Sequence, residues 1–255
     1  MQEVAREACC ELHGLYQKRG FRFRKDEMGV KEPAVIWCAC PSCLVEEDAM
    51  RARAEEAAQL ADKQSRLQER LQHSWLPIRF IGKTFENFVC STSAQQRVFD
   101  LVRAYARDFE KNAAKGRGLI FLGGVGAGKS HLAAAVLQAV MAKHQGLYMT
   151  VPDIIRAVRG TWRRDAACSE GEMLARLIEV DLLVMDEVGK QYGTEGEEHI
   201  LFDVLDGRYR EMKPTILLGN ITGEELSCYL GERVADRLRE TSMAIVFDWK
   251  SYREG

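Results

Sequence analysis

The chain has 255 residues, 46% apolar and 29% charged, enough for one large domain or two smaller ones. Its 36 basic and 38 acidic groups leave a formal charge of −2, so any site for a polyanion is a local patch rather than a global field. No segment reaches the roughly 20 uninterrupted apolar residues of a membrane span, and residues 1–14 lack an apolar signal core. These features predict a cytoplasmic chain with no membrane partner, in a reducing compartment where structural disulfides are rare. Its eight cysteines therefore divide among buried thiols, reactive groups and metal ligands.

Residues 1–43 are poor in helical periodicity and hold Cys9, Cys10, Cys38, Cys40 and Cys43; Cys90, Cys168 and Cys228 are scattered. Cys10-Glu-Leu-His13-Gly14 and Cys40-Pro-Ser-Cys43 are two knuckles with two-residue spacing. Cys10, His13, Cys40 and Cys43 together make a Cys₃His set suited to structural zinc. Cys9 and Cys38 are alternative ligands, and a set of free thiols is the competing reading. So short a segment builds little core unaided, which favours a metal staple.

Residues 44–74 contain no Gly or Pro and are rich in Ala, Glu, Arg, Gln and Leu, predicting one long helix. Met50, Ala57, Leu60, Leu67 and Leu71 form a thin seam, interrupted by Arg53 and Gln64. Two readings fit it: a solvated helix resting on the next domain, or a helix that binds a partner or self-associates.

From Trp75 to residue 255 strands and helices alternate. A helix is expected from an N-cap at Ser93, a strand over 119–122, a helix over 129–143 and a strand over 147–151. Helices follow over 153–163 and from Ser169 to Glu179, the second opened by a capping box with Glu172. A strand at 181–186, a helix at 197–212 and a strand at 215–219 come next. A Thr222/Glu225 capping box opens a helix ending near Gly231; a helix at 232–240 and a strand at 244–247 complete the order. The strands are almost wholly apolar, as in an α/β fold whose parallel sheet is flanked by helices on both faces.

Gly123, Gly124, Val125, Gly126, Ala127, Gly128, Lys129 and Ser130 match G-x-x-x-x-G-K-[ST] in full, between a buried strand and a helix that continues with His131. Glycines let backbone N–H groups converge on phosphate oxygens, and the helix N-terminus adds partial positive charge. Lys129 is expected to reach the β- and γ-phosphates of ATP, and Ser130 to ligate Mg²⁺. Asp186 closes an apolar strand and is the second expected Mg²⁺ ligand; Glu187 follows as general base for water. Asn220 ends the next apolar strand, where it either senses the γ-phosphate or simply opens the turn before Thr222.

These elements, with Leu230-Gly-Glu-Arg-Val-Ala-Asp-Arg-Leu-Arg239, Pro77-Ile-Arg-Phe80, Thr84-Phe-Glu-Asn-Phe88 and Phe247-Asp-Trp-Lys-Ser-Tyr-Arg253, resemble the AAA+ ATPases of the DnaC-type replicative helicase loaders over residues 75–253. The related IstB-type ATPases have a similar core. The resemblance implies loading of a DnaB-type helicase hexamer onto single-stranded DNA, in a bacterium, phage or prophage. It also implies an arginine finger acting in trans, Arg233 or else Arg237, and hence a nucleotide-assembled homo-oligomer. Only eight residues follow Phe247, so no C-terminal lid is expected and adenine contact is assigned to Arg79, Phe80, Thr84 and Phe85. In such proteins an extra helix lines a DNA pore, which points to Arg156, Arg159, Arg163 and Arg164 around Trp162 as the DNA contact; a solvated basic face is the alternative. Helicase binding falls to residues 1–73 by resemblance alone. An IstB-type transposition helper and an ATP-switched adaptor without turnover are the rival functions; a small-molecule kinase is more distant.

Overall fold

The structure, a computed structural model, describes residues 2–24, 34–189 and 195–252; Arg253 of the C-terminal motif lies outside them. The chain forms two compact units, Met1–Gln64 and Ser65–Gly255. The first holds a three-stranded antiparallel sheet of β1 (Gln2–Cys10), β2 (Gly14–Phe23) and β3 (Ala34–Trp37), in that order. These strands carry little sequence signal, because both faces of β1 are largely exposed and the apolar alternation is faint. Gly14 opens β2 at φ 73°, a backbone conformation that favours glycine.

Helix α1 spans Pro41–His73 and starts earlier than its composition suggests. Proline is well suited to a first helical turn, where its missing N–H has no partner to lose. Cys43 therefore sits in the first turn of α1 rather than in a preceding loop. The helix is continuous through Gln64 and Ser65, so the expected three-part division at residues 43/44 and 74/75 does not coincide with the two compact units. The seam is split as well: Met50 and Leu60 are exposed, whereas Leu67 and Leu71 pack against the core of the second unit.

In the second unit, α2 (Ile78–Ile81), α3 (Ser93–Arg107) and α4 (Phe109–Ala113) precede β4 (Gly118–Gly123). Then come α5 (Lys129–Val140), β5 (Gly146–Thr150), α6 (Val151–Gly160), α7 (Glu170–Glu179) and β6 (Leu182–Val188). The series ends with α8 (Glu195–Arg210), β7 (Thr215–Gly219), α9 (Gly223–Leu230), α10 (Glu232–Thr241) and β8 (Ser242–Phe247). The five strands are all parallel, in the order β5-β6-β7-β4-β8. Leu119 and Phe121 of β4 join a core with α3 and α5, while Ile120 and Leu122 join a second core with α6, α7 and α8. Both faces of the sheet are thus covered, as the apolar strands required.

The capping boxes at Ser169/Glu172 and Thr222/Glu225 form as expected. Thr92, not Ser93, caps α3, because Gln95 stands at the third helical position from Thr92 and returns its side chain to the Thr92 N–H. Helix α6 begins at Val151 under a Thr150 cap and stops at Gly160, so Arg163 and Arg164 follow the helix rather than belonging to it. Arg208 of α8 is fully buried and donates to the carbonyls of Leu177, Ile178, Val180 and Pro214 and to the Thr215 hydroxyl. It satisfies the end of α7 and ties it to the start of β7; burial lowers its pKa to about 9. Among the described residues no helix is long and apolar enough to cross a membrane.

Candidate functional site

The loop from β4 to α5 holds Gly123, Gly126 and Gly128 at φ 132°, 79° and 94°. Side chains rarely adopt such angles, which is the physical reason for the glycine spacing. Ala127 is buried and Val125 exposed. Lys129, almost fully buried, donates to Gly123 O, Gly124 O and Asn220 Oδ1, each at 2.7 Å. Burial pushes its ammonium pKa down, and the Asp186 carboxylate partly offsets this. Asn220 is 91 residues away in sequence and reaches Lys129 from the end of β7.

Ser130 Oγ donates to Asp186 Oδ2 at 3.0 Å, and the Tyr148 hydroxyl donates to the same oxygen. The Glu187 backbone N–H donates to Asp186 Oδ1 at 2.7 Å. The β6–β7 register shifts between Met185 and Val188, and Glu187 has φ 63°. This bulge takes Asp186 and Glu187 out of the ladder with β7, while Asp186 stays in register with Thr150 of β5. The backbone strain at Glu187, roughly 1–3 kcal/mol, belongs to the kind that clusters at functional sites.

His131 Nε2 donates to Thr84 O at 2.9 Å, and burial lowers its pKa, so it is neutral near pH 7. Phe80 packs on Tyr148 and Phe85 on Phe99, both against the core, while Arg79 is exposed. The aromatic beside the loop is Phe88, whose ring stands edge-on to His131 at 5.1 Å. Phe88 stands in the sequence only as the end of the Thr84–Phe88 motif, and Tyr148 is not singled out there. For Tyr148 a signal existed, since a phenol in an apolar strand needs a polar partner.

The two candidate finger residues stand in different surroundings on α10. Arg233 is exposed, its guanidinium 5.4 Å from the Phe202 ring centre. Arg237 is mostly buried, pairs with Asp206 and lies 4.8 Å over Tyr209. Asp206 also meets Arg210 at 3.1 Å. The basic segment is likewise uneven. Arg156 pairs with Asp153 and Arg159 with Glu197, whereas Arg163, Arg164 and Trp162 are exposed. The Trp162 indole donates to Glu170 at 2.7 Å.

In the first unit the ligand atoms of Cys10, His13, Cys40 and Cys43 lie within 4.8 Å of one another. Cys10 Sγ is 3.5 Å from Cys43 Sγ, and His13 Nδ1 is 3.7, 3.8 and 3.4 Å from the sulfurs of Cys10, Cys40 and Cys43. Zn–S bonds of about 2.3 Å and Zn–N bonds of about 2.0 Å imply tetrahedral edges of about 3.5–3.8 Å. The donor set therefore fits zinc. His13 Nε2 meets Glu46 Oε1 at 3.0 Å, an outer contact that leaves Nδ1 facing the sulfurs and that raises the imidazole pKa to about 9. Sequence reasoning missed Glu46, which is placed by the first turns of α1. Backbone and His13 hydrogen bonds lower Cys10 to about 6, while the Cys10 sulfur pushes Cys43 up to about 12. Neither Cys9 nor Cys38 joins this cluster.

The contrast on α10 has a measurable consequence. Arg237→Ala leaves the nearly buried Asp206 with Arg210 alone and is expected to cost about 2 kcal/mol in urea unfolding. Arg233→Ala is expected to stay within about 0.5 kcal/mol of the parent chain.

Residues 50–254 match the family model of IstB-like ATP binding proteins. The replicative helicase loader DnaC of Escherichia coli strain K12 is 38% identical over 172 residues, 67% of this chain and 69% of that protein. DnaC of Buchnera aphidicola subsp. Schizaphis graminum is 32% identical over 195 residues, 76% of this chain and 78% of that protein. A crystal structure of the DnaC helicase loader superposes with a TM-score of 0.61 at 23% identity, covering 67% of this chain and 99% of that one, which supports the AAA+ fold. The chain therefore belongs to the IstB-like ATP-binding family of AAA+ proteins, among the DnaC-type replicative helicase loaders.

Proposed function

We propose that the chain loads a replicative DnaB-type helicase hexamer onto single-stranded DNA in an ATP-dependent step of DNA replication. The observation that carries this reading is the convergence of Lys129, Ser130, Asp186, Glu187 and Asn220 from three strand ends, in a chain 38% identical to DnaC. The transposition-helper alternative has less support, since the relatives named above are helicase loaders.

Ser130 Oγ and Asp186 Oδ2 are 3.0 Å apart, the spacing of neighbouring ligands around Mg²⁺ with bonds of about 2.0–2.1 Å, so these residues fit that ion. Bound there, Mg²⁺ would neutralise charge on the β- and γ-phosphates. Tyr148 and the Glu187 N–H keep the Asp186 carboxylate oriented. Lys129 exchanges the Gly123 and Gly124 carbonyls for phosphate oxygens, and Asn220 reports whether a γ-phosphate has taken its partner. Glu187 takes the proton of the attacking water as general base. Arg233 is the trans finger, because its side chain is exposed while Arg237 is committed to Asp206. Hydrolysis then releases the helicase, and the homo-oligomer assembles around bound nucleotide in the bacterial cytoplasm.

Zinc held by Cys10, His13, Cys40 and Cys43 staples a unit whose sheet buries little apolar surface. The zinc-stapled sheet and α1 form the helicase-binding part, residues 1–73. Single-stranded DNA is contacted by the basic segment after α6, with Arg163 and Arg164 on phosphates, Trp162 offering a stacking surface, and Arg156 and Arg159 flanking them.

Glu187→Gln is expected to retain ATP binding while turnover falls at least about 100-fold, with helicase still co-purifying. Unchanged turnover would remove Glu187 from the mechanism, and co-purification with a transposase instead of a helicase would overturn the loader assignment. Metal analysis is expected to return about one zinc per chain, lost in Cys43→Ser together with the far-UV signal of the first unit. A metal-free chain with that signal intact would sink the zinc reading. Arg163→Ala is expected to weaken DNA affinity and to reduce the slope of log affinity against log salt by about 0.7; an unchanged slope would place the DNA elsewhere.

A further inference from the structure

After β8 the chain crosses the outer side of the phosphate loop. Trp249 Nε1 donates to Ala127 O at 3.0 Å, and the Tyr252 backbone N–H donates to Gly126 O at 3.0 Å. The Tyr252 hydroxyl donates to Val89 O at 2.8 Å, and its ring stands edge-on to Phe88 at 5.8 Å. Trp249 is anchored in turn, packed on the core with its ring 5.1 Å from Phe247. The approach is close: a Cβ on Gly126 would come within 2.0 Å of Ser251 Oγ.

These bonds set directions as well as contacts. A trans peptide is planar, so its C=O and the N–H of the following residue point in opposite directions. Holding Gly126 O outward fixes the Ala127 N–H inward, and holding Ala127 O outward does the same for the Gly128 N–H. We propose that Trp249 and Tyr252 are positioning residues that aim the Ala127 and Gly128 amides at the phosphates of a nucleoside triphosphate. Neither residue touches the nucleotide in this reading; both act through the loop carbonyls. Glycine gives the loop freedom to reach φ values near 79° and 94°, and the same freedom lets it leave them. The crossing segment removes that second freedom before ligand arrives, so less ordering cost falls on binding. Its anchor is the sheet itself, because β8 pairs with β4, the strand that leads into the loop.

The proposal rests on the ATP-site reading, and the test separates the two. Calorimetric titration of the full chain with ATP gives both dissociation constant and stoichiometry. Trp249→Phe keeps the ring packing but lacks the N–H, and is expected to weaken ATP binding about fivefold at unchanged stoichiometry. Tyr252→Pro removes the backbone donor and is expected to act similarly. A merely structural tie would instead lower the competent fraction and the unfolding midpoint, leaving the affinity of the remaining sites alone. Hydrogen exchange of the Ala127 and Gly128 amides in nucleotide-free protein is expected to quicken in both variants. Affinity within twofold of the parent in both variants, or unchanged exchange at those amides, overturns the positioning role. A parent chain that does not bind ATP, or a Lys129→Ala variant that binds equally well, overturns the ATP-site reading itself, and the positioning role falls with it.

Discussion

The carboxyl ends of β4, β6 and β7 lie side by side because the three strands are parallel neighbours, with β7 between the other two. The polar groups proposed for the nucleotide hang from that edge. Lys129 follows β4 after one loop, Asp186 and Glu187 stand near the end of β6, and Asn220 directly follows β7. An antiparallel neighbour would have placed its end on the opposite side of the sheet. The Lys129–Asn220 bond is therefore as much a statement about strand order as about two side chains.

That edge is supported from both faces by apolar layers. Phe121 and Leu119 hold β4 against α5, and Ile120 and Leu122 hold it against the other core. Two polar groups inside these layers illustrate how such side chains are matched. Arg208 closes the end of α7, and Tyr148 spends its hydroxyl on Asp186. A buried phenol beside a carboxylate stabilises one orientation of that carboxylate, and the site inherits its order from the core. At this edge the backbone leaves regular geometry at the loop glycines and at Glu187, as strained positions at functional sites do.

The first unit solves a different problem. Its sheet has almost no buried apolar face, and the portion of α1 that belongs to it buries no side chain. Four ligand atoms from the β1–β2 turn region and the start of α1 gather there into one cluster suited to a metal ion. Glu46 adds an outer bond that orients His13.

The α/β class, the parallel sheet, the phosphate loop and the Asp186-Glu187 strand end were legible in the sequence, because each follows from local chemistry: apolar runs, glycine spacing and a terminal acid pair. The Cys₃His set was legible too, since two-residue knuckles are a local geometry. Local chemistry does not say which distant groups meet. Whether Arg233 or Arg237 is spoken for depends on Asp206 of another helix; the arginines around Trp162 separate into paired and exposed ones only once Glu197 and Asp153 are in place. The strands of the first unit escaped notice because exposed strands carry no apolar alternation. The contact of Phe88 with His131, the clamp of Tyr148 on Asp186 and the return of Trp249 to the loop all join residues far apart in the chain. Sequence alone determined the chemistry that was available, and packing of the sheet and its helices decided which of those groups share a site.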